Sequence, residues 1–404
     1  MSTPSAIKPA DFPWFPYEGF TFSLGLTSGP DAWISGHTAS RLDPGAAKMV
    51  VTGSMAEQAR TAYDKVLTIL EAAGLGAGDI VKVTENVTLA GLPEYAAVEQ
   101  VREEVLGDAV ASVTTIVVER LVRSAALLEV EVHAGTGGGR LLVARSDTAG
   151  RGTWTSSPVV EAHQGTVYLP TIIPWEDGEV VHPGDLVGQY AWCLDRADQL
   201  LRRAGLSLDH AVTTYDYTTP ETRGTYRKVH HVRKDRLGGA GVYPGAGGIV
   251  MSRLHRPGVL VALDVTASRH PLEAVNPGWS RYDTLTYSPG VKAGRTLFMS
   301  GFAALDMETQ QALHPGDIGA QAEVTYQALL DVLAAAGTGP EHLVQTLEFC
   351  AIEALRDYRL VAPVRERLLS PPWPASTGAM CAGLLRPEFL LEVFATALLP
   401  EPGL

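Results

Sequence analysis

The sequence predicts an α+β fold made of three tandem β-β-α-β-α-β units that form an intramolecular pseudo-trimer. Three observations support this prediction. A long segment recurs three times, each copy has helical periodicity followed by a β-rich run, and each copy ends in an alternating strand pattern. We place the three units at residues 1–136, 150–270 and 276–402.

The repeat is clearest around the first helix of each copy. The copies align from three matching points that lie 131 and 132 residues apart, namely Thr52, Pro183 and Pro315. A glutamine and a glycine recur at the same register in every copy: Gln58, Gln189 and Gln321, then Gly74, Gly205 and Gly337. Recurrence at this period predicts one supersecondary unit used three times.

Each element of the unit has its own signal. Apolar residues from Met55 to Ala73 recur at i, i+4 and i+7, which predicts a helix that stops at the glycine. The runs IVKVTENVT, AVTTYDYTT and LVQTLEFCA then predict a strand in each copy. We expect a second helix near residues 94–104, 221–234 and 355–369.

The two ends of each copy predict the remaining strands. The starts, such as YSPGVKAGRTLFMSG, resemble hairpins, and the tails LLEVEVHA, LVALDVTA and LLEVFATA alternate. The segments GTGGGRLLVARSDTAGRGT and RHPLEAVNPGW are interpreted as connectors. Because one sheet with helices on one face leaves the other face uncovered, we expect the three units to cover each other as a ring.

Composition restricts the functional class. The chain has 46% hydrophobic and 19% charged residues, a net charge of −13 and only three cysteines. An acidic balance argues against nucleic-acid partners, and scattered cysteines argue against a disulfide framework. We find no apolar run of membrane-spanning length and no signal peptide. The sequence therefore predicts a cytoplasmic protein without membrane or nucleic-acid partners, either monomeric or a dimer of pseudo-trimers.

The repeat resembles the RidA family, also called YjgF/UK114, across nearly the whole chain. The residues that show this are YSPGVKAGRTLFMSG in the third copy, GLGAGDIVKVTENVT in the first, and the closing LLEVEVHA and LLEVFATA. The resemblance implies the chorismate-mutase-like fold of homotrimers with clefts between subunits, here fused into one polypeptide. It also implies hydrolysis of reactive enamines and imines to ketoacids and ammonia, without a cofactor.

The resemblance further implies three sets of site positions. The family's carboxylate-binding arginine falls on Val113, Ala246 and Ser376, so every copy lacks it. The glutamate that activates water falls on Glu129, Ala262 and Glu392, and the aromatic hydroxyl falls on Phe22, Ser156 and Tyr287. We therefore expect poor deamination of small imino acids unless another cation, first of all Arg223 or Arg227, replaces the arginine.

Acidic residues in strands are the main catalytic candidates. Glu129 and Glu392 lie among apolar neighbours, where desolvation raises a carboxyl pKa and suits it to acid–base work; the alternative is an exposed position paired with an arginine. A second set recurs at matching strand positions: Glu85, Asp216 and Glu348. This set is interpreted either as structural ion pairs or as proton donors and acceptors in a cleft.

The second copy carries an unusual group of titratable residues around its second helix. We consider Tyr215, Arg223, Arg227 and His231 as substrate-binding candidates, together with Ser376 of the third copy; the alternative is an exposed helix face. Period-2 alternation also places Glu129, Glu131 and His133 on one strand face. Consecutive same-face ligands rarely converge on one ion, so we expect no metal.

The functional hypotheses belong to two classes. The first is an enzyme, a hydrolase, lyase or cyclase, that uses acid–base chemistry on a small enamine, imine or carbonyl intermediate in specialised metabolism. A chorismatase-like enzyme, which uses fused units of this kind, is an alternative within that class. The second class is a noncatalytic small-molecule-binding or chaperone-like protein, favoured by the three missing arginines. A ribonuclease is disfavoured because the sequence has no basic stripe.

Overall fold

The computed structural model describes residues 3–400, which contain three large sheets, each with a long helix packed on one face, and a separate two-stranded sheet. Residues 1–2 and 401–402, at the ends of the first and third predicted units, lie outside the described residues. Within residues 3–400, no helix has the length and apolar character needed to cross a membrane.

The first unit forms a six-stranded sheet in the order β1-β2-β3-β9-β6-β7, in which β6 and β7 are parallel. Its strands are β1 (Ser5–Ala6), β2 (Gly25–Ser28), β3 (Asp31–His37), β4 (Arg41–Asp43), β5 (Lys48–Val50), β6 (Ile80–Thr88), β7 (Ser112–Val118), β8 (Arg120–Leu121) and β9 (Leu128–Gly135). Its helices are α1 (Met55–Ala72) and α2 (Tyr95–Leu106).

The second unit repeats this topology with β16 and β17 as the parallel pair. Its strands are β10 (Arg140–Val143), β11 (Arg151–Thr153), β12 (Val159–Glu161), β13 (Thr166–Tyr168), β14 (Ile172–Glu176), β15 (Glu179–Val180), β16 (Ala211–Thr218), β17 (Gly245–Val250) and β18 (Val261–Ser268). Its helices are α3 (Arg145–Thr148), α4 (Leu186–Arg203), α5 (Arg223–Tyr226) and α6 (Val229–Arg236).

The third unit has the parallel pair β22 and β23. Its strands are β19 (Leu272–Val275), β20 (Gly290–Ala293), β21 (Thr296–Met299), β22 (Leu343–Ala351), β23 (Ala375–Cys381), β24 (Gly383–Leu384) and β25 (Leu391–Leu398). Its helices are α7 (Ile318–Ala335) and α8 (Val361–Leu368).

The structure differs from the predicted unit in three respects. Each unit has one strand more than predicted, because the segment after the second helix forms both a strand parallel to the central one and the closing antiparallel strand. The predicted connectors contain β10 and β19, which pair with the first hairpins of units two and three. The second helix of unit two is divided into α5 and α6.

The recurring glycine and glutamine have structural roles. Gly74, Gly205 and Gly337 adopt φ values of 74°, 74° and 77° directly after the long helices, as a left-handed C-terminal cap requires. The amide of Gln58 donates to the carbonyls of Gly53 and Ala125 and accepts from the Leu127 amide. The same clamp recurs at the other two glutamines, so each long helix is tied to the entry of its closing strand.

Each unit has its own core, and a fourth core lies between units. The first three cores join a long helix to one face of its sheet. The fourth contains Ile116 of unit one, Tyr217 of unit two and Phe394 of unit three. The opposite faces of the three sheets are therefore buried against each other.

Hydrogen bonds join the units in cyclic order. The backbone amide of Val113 donates to the Ser157 hydroxyl at 2.7 Å, which joins units one and two. Units two and three are joined in the same way by Ala246 and Ser300. Units three and one are joined by Ser376 and Ser35. These junctions create three equivalent clefts, which we name the 1/2, 2/3 and 3/1 clefts after the units that form them.

Candidate active site

The positions implied for the missing arginine all lie at these junctions. Val113, Ala246 and Ser376 each donate a backbone amide to a serine of the next unit, at 2.7, 2.9 and 2.8 Å. Ser35 and Ser300 lie at the same register, where unit two has Pro170, whereas Ser157 lies before β12. The three clefts therefore share the donating strand position and differ in the groups around it.

The 2/3 cleft contains a cavity of about 440 Å³. It brings together Glu392 and Tyr287 of unit three with Arg227 and Ala246 of unit two, all of which sequence analysis had singled out. Two arginines that it had not considered also line the cavity: Arg281 and Arg386. A cavity of this size and mixed lining is typical of a small-molecule site.

Glu392 is the carboxylate of this cavity. It lies on β25, is 7% exposed, and receives no hydrogen bond from any described residue. Its carboxylate lies beside Gly301 and Gly247, where an added Cβ would come within 2.2 and 2.9 Å of Oε1. Burial raises the pKa of Glu392 to about 8, so the group is mostly protonated at neutral pH.

Arginines line the same cavity as the carboxylate. Arg281 donates to the Tyr287 hydroxyl at 3.3 Å and lies over the Tyr282 ring at 5.2 Å. Arg386 donates to the Gln310 carbonyl at 2.6 Å, which leaves further N–H donors on its guanidinium. Arg227 is exposed at the edge of the cavity. The lining therefore favours an anionic ligand.

The 3/1 cleft retains a glutamate in a different environment. Glu129 on β9 is buried, and its Oε2 has no hydrogen-bond partner among the described residues. It lies against Gly36, while the methyl group of Thr377 comes within 2.8 Å of an ideal Cβ at that glycine. Burial raises the pKa of Glu129 to about 8. Thr377 occupies the place that Gly247 leaves open in the 2/3 cleft.

The recurring acid set lies in three buried networks behind the clefts. Each acid accepts hydrogen bonds from two tyrosines and lies close to an arginine of the second helical segment. Glu85 bonds Tyr63, Tyr95 and Arg102; Glu348 bonds Tyr326, Tyr358 and Arg365. These buried hydrogen bonds and ion pairs favour a structural role for the three acids, because none of them lines the 2/3 cavity.

The network of unit two nevertheless reaches the 2/3 cavity. Tyr226 donates to Asp216 at 2.5 Å, and both Tyr226 and Arg233 line the cavity. Burial raises the pKa of Asp216 to about 6, and Arg233 opposes that shift. Asp216 is therefore in a position to orient a phenol at the wall of the cavity.

Four other sequence candidates lie outside the cavity lining. Arg223 donates to the Leu384 carbonyl at 3.1 Å, and His231 is exposed. Tyr215 donates to the Met299 carbonyl at 3.0 Å and faces a smaller cavity among the three sheets. The Ser376 hydroxyl accepts from Arg365 and Thr346 at the 3/1 junction. The break between α5 and α6 explains why Arg227 and Arg223 diverge.

The residues predicted to share one face of β9, Glu129, Glu131 and His133, do not share the same contacts. Glu131 accepts from Thr377 and Gln345, whereas His133 contacts the Tyr168 hydroxyl and Asp31. Within residues 3–400, no group of three or more His, Cys, Asp or Glu side chains has a metal-binding arrangement.

Sequence reasoning missed two signals that were present. Arg386 recurs at the same register as Arg123 and Arg256 in LVR, LHR and LLR, before the closing strands. The network residues follow a constant spacing of seven in every unit: Tyr95 and Arg102, Tyr226 and Arg233, Tyr358 and Arg365. Arg281 has no such signal, because it lies in a connecting segment without a counterpart in the alignment.

Comparison with known families agrees with this architecture. The model of the family described as endoribonuclease L-PSP matches residues 19–136 and 282–399. No curated protein sequence matches the chain significantly.

Solved structures extend the comparison to the whole repeat. A chorismatase structure has a TM-score of 0.51 at 15% identity and covers 79% of this chain and 93% of its own. A RidA protein from the Antarctic bacterium Psychrobacter sp. is 28% identical over 29% of this chain and 90% of its own, with a TM-score of 0.27. An Entamoeba histolytica protein described as a putative endoribonuclease L-PSP is 22% identical over 32% of this chain and 99% of its own, with a TM-score of 0.29.

Proposed function

Because the chain belongs to the endoribonuclease L-PSP family, which includes RidA proteins, we propose that it is an enzyme acting on a small anionic enamine, imine or related carbonyl intermediate in the 2/3 cavity. The observation that carries this proposal is the position of Glu392. It is a buried carboxyl without a hydrogen-bond donor among the described residues, in a cavity of about 440 Å³ that four arginines and three tyrosines also line.

The raised pKa of Glu392 suits general acid catalysis followed by general base catalysis. The protonated carboxyl donates its proton to the β-carbon of an enamine and forms an iminium ion. Water then adds to the iminium carbon and gives its proton to the carboxylate. Loss of ammonia from the resulting carbinolamine yields the ketone, so one water is consumed for each ammonia released.

Substrate binding in this proposal depends on arginines other than the family's. Arg386 and Arg281 offer guanidinium donors from unit three, and Arg227 adds a third from unit two. A carboxylate held by such donors in a partly desolvated cavity gains charge-assisted hydrogen bonds. Gly247 and Gly301 leave room beside Glu392 for the reacting carbon.

A second candidate is chorismatase-like hydrolysis of an enolpyruvyl ether side chain carried on a ring. The observation that favours it is the chorismatase structure, whose fold matches 79% of this chain. Protonation of the vinyl carbon by Glu392 gives an oxocarbenium ion, water adds, and the hemiketal separates into a ketoacid and an alcohol. The same acid and the same arginines serve both reactions.

A product assay separates the candidates. Ammonia release from freshly generated 2-iminobutanoate and pyruvate release from a ring-borne enolpyruvyl ether such as chorismate are measured for the protein and for Glu392→Gln. We expect one product to form at least about 10²-fold faster with the protein than with the variant. Formation of neither product, combined with ligand binding in the 2/3 cavity, would indicate the noncatalytic alternative. RNA cleavage by the protein would indicate a ribonuclease.

A further inference from the structure

The 1/2 cleft contains a second cavity, of about 620 Å³, at the place equivalent to the 2/3 cavity. Tyr95 corresponds in position to Tyr226, and Arg256 corresponds to Arg386. The wall also includes apolar residues Leu92 and Pro93. The cavity is therefore a counterpart of the candidate active site with different side chains.

This second cavity lacks the groups that the proposed chemistry needs. Ala262 occupies the position of Glu392, and Thr171 occupies the position of Gly301. The Thr171 hydroxyl accepts from the Thr115 amide at 2.7 Å and donates to the Thr115 carbonyl at 3.2 Å. The Thr171 side chain therefore bonds the backbone of Thr115, at the register where unit three has Gly301 and no side chain. The strand position of Glu392 therefore has no carboxylate, and the two carboxylates that line this cavity, Glu99 and Glu221, lie elsewhere.

Arg256 lies beside two indole rings at the edge of this cavity. Its guanidinium carbon lies 4.9 Å from the Trp154 ring centroid and 5.4 Å from that of Trp175. A cation–π contact does not use the N–H donors of a guanidinium, so they are available for hydrogen bonding. No described residue accepts a hydrogen bond from Arg256, whereas Arg386 donates to a backbone carbonyl.

Two further polar atoms in the cavity wall have no partner. His255 is 5% exposed, and its Nε2 lies 2.9 Å from the Thr115 carbonyl. Because a carbonyl only accepts, Nε2 carries the proton and Nδ1 is an acceptor, which is buried without a partner among the described residues. Nε1 of Trp154 is likewise a buried donor without a partner. Unpaired buried polar atoms are costly, so a ligand that bonds them gains affinity.

We propose that the 1/2 cavity is a noncatalytic binding site for a small cyclic or aromatic hydroxycarboxylate. The ligand carboxylate pairs with Arg256, its hydroxyl donates to Nδ1 of His255, and its ring lies against Trp154 and Tyr95. Glu99 and Glu221 balance Arg253 and Arg256 in the lining, so the cavity has no excess positive charge to bind a second negative charge and the ligand is a monoanion. This site is independent of the proposed function, since it needs no turnover.

The probe for this site is 3-hydroxybenzoate, with 3-hydroxybenzamide and benzoate as comparators. Isothermal titration of the full chain should show 3-hydroxybenzoate binding at least about tenfold more tightly than the amide, because the amide lacks the charge. Benzoate should bind more weakly because it leaves Nδ1 of His255 without a donor. Quenching of tryptophan fluorescence should accompany binding and be reduced in Trp154→Phe.

Arginine variants test whether the probe binds in the 1/2 cavity. Arg256→Met should weaken binding of 3-hydroxybenzoate at least about tenfold, while Arg123→Met, at the same register in unit one, should leave it within twofold. Arg256→Lys serves if the methionine variant does not fold, since lysine lacks the planar fork and should also weaken binding.

Three outcomes would overturn the site. These are no binding at millimolar probe, equal binding by Arg256→Met and the unaltered protein, or loss of binding in Arg386→Met, which would place the probe in the 2/3 cavity. Because binding is measured without substrate, an inactive protein that binds the probe through Arg256 would reject the proposed function and retain this site.

Discussion

The 2/3 and 1/2 clefts occupy corresponding positions in the repeat but differ in the side chains at the position of the acid and opposite it. In the 2/3 cleft, Glu392 faces Gly301 and an open cavity. In the 1/2 cleft, Ala262 and Thr171 stand at those positions, and the threonine bonds the neighbouring backbone. In the proposed function, proton transfer therefore requires both a strand carboxylate and a glycine opposite it, since the carboxylate occupies the space that a side chain would fill.

The 3/1 cleft separates those two requirements. It retains Glu129 and Gly36, but Thr377 replaces Gly247 and fills the space beside the carboxylate. Glu129 therefore has the environment of a buried acid without an adjacent space for a reacting carbon. The three clefts thus form a series. In the 2/3 cleft the carboxyl group adjoins a cavity, in the 3/1 cleft Thr377 fills the space beside it, and in the 1/2 cleft Ala262 replaces the glutamate.

The largest expected effect distinguishes the two glutamates. Glu392→Gln preserves shape and removes the transferable proton, so the rate of product formation should fall roughly 10²-fold or more. Glu129→Gln, the matched control in the enclosed cleft, should leave the rate within about twofold. Initial rates at saturating substrate measure both. Equal losses in the two variants would contradict the ranking of the clefts, and full activity in the double variant would remove both glutamates from the mechanism.

The next prediction concerns Gly301, which lies opposite Glu392. In Gly301→Ala, the new Cβ would meet the Glu392 carboxylate and the Phe394 ring, so the carboxylate must move. A displacement of about 1 Å lowers catalysis by up to roughly 10²-fold, and we expect a 10- to 100-fold loss in kcat. Gly36→Ala creates a similar contact with Glu129 and controls for stability. Similar kcat losses in both variants would contradict a special role for the 2/3 cleft.

A smaller effect concerns substrate binding. Arg386→Met removes a guanidinium from the 2/3 cavity and should raise KM for a carboxylate substrate about tenfold, or about 1.4 kcal/mol. Arg123→Met removes the arginine at the same register in unit one, which is exposed, and should leave KM unchanged. A fall in kcat without a change in KM would instead assign Arg386 to the transition state.

Much of the fold was predictable because it depends on local periodicity. The three long helices and the strands after them lie where the repeat places them, and the glycine caps have the expected conformation. The divided helix in unit two was not predictable from periodicity, since α5 and α6 each have too few turns to show a period. The strands β10 and β19 were missed because their pairing is determined by neighbours distant in sequence.

The site was partly predictable for a related reason. Glu392 and Tyr287 were identified through the family resemblance and Arg227 through the composition of the second copy, and the structure brings them to one cavity. Register alone treated Glu129 and Glu392 as equivalent, because the difference between them is made by Thr377 and Gly247 from the neighbouring unit. Such contacts between units leave no periodic signal in a single sequence.

The smallest expected effect is equal for the two glutamates. Burial raises the pKa of both to about 8, above the value of about 4.5 in an unfolded chain. The folded state therefore binds more protons between these values, and the free energy of unfolding falls as pH rises from about 4.5 to about 8.

A glutamine at either position removes this loss of stability. Because the two side chains are 9% and 7% exposed, Glu129→Gln and Glu392→Gln should each raise the unfolding midpoint at pH 9 by about 2–4 °C relative to the effect at pH 5. Circular dichroism melts at pH 5, 7 and 9 measure the difference, and a shift independent of pH would show that neither carboxylate is desolvated as the clefts indicate.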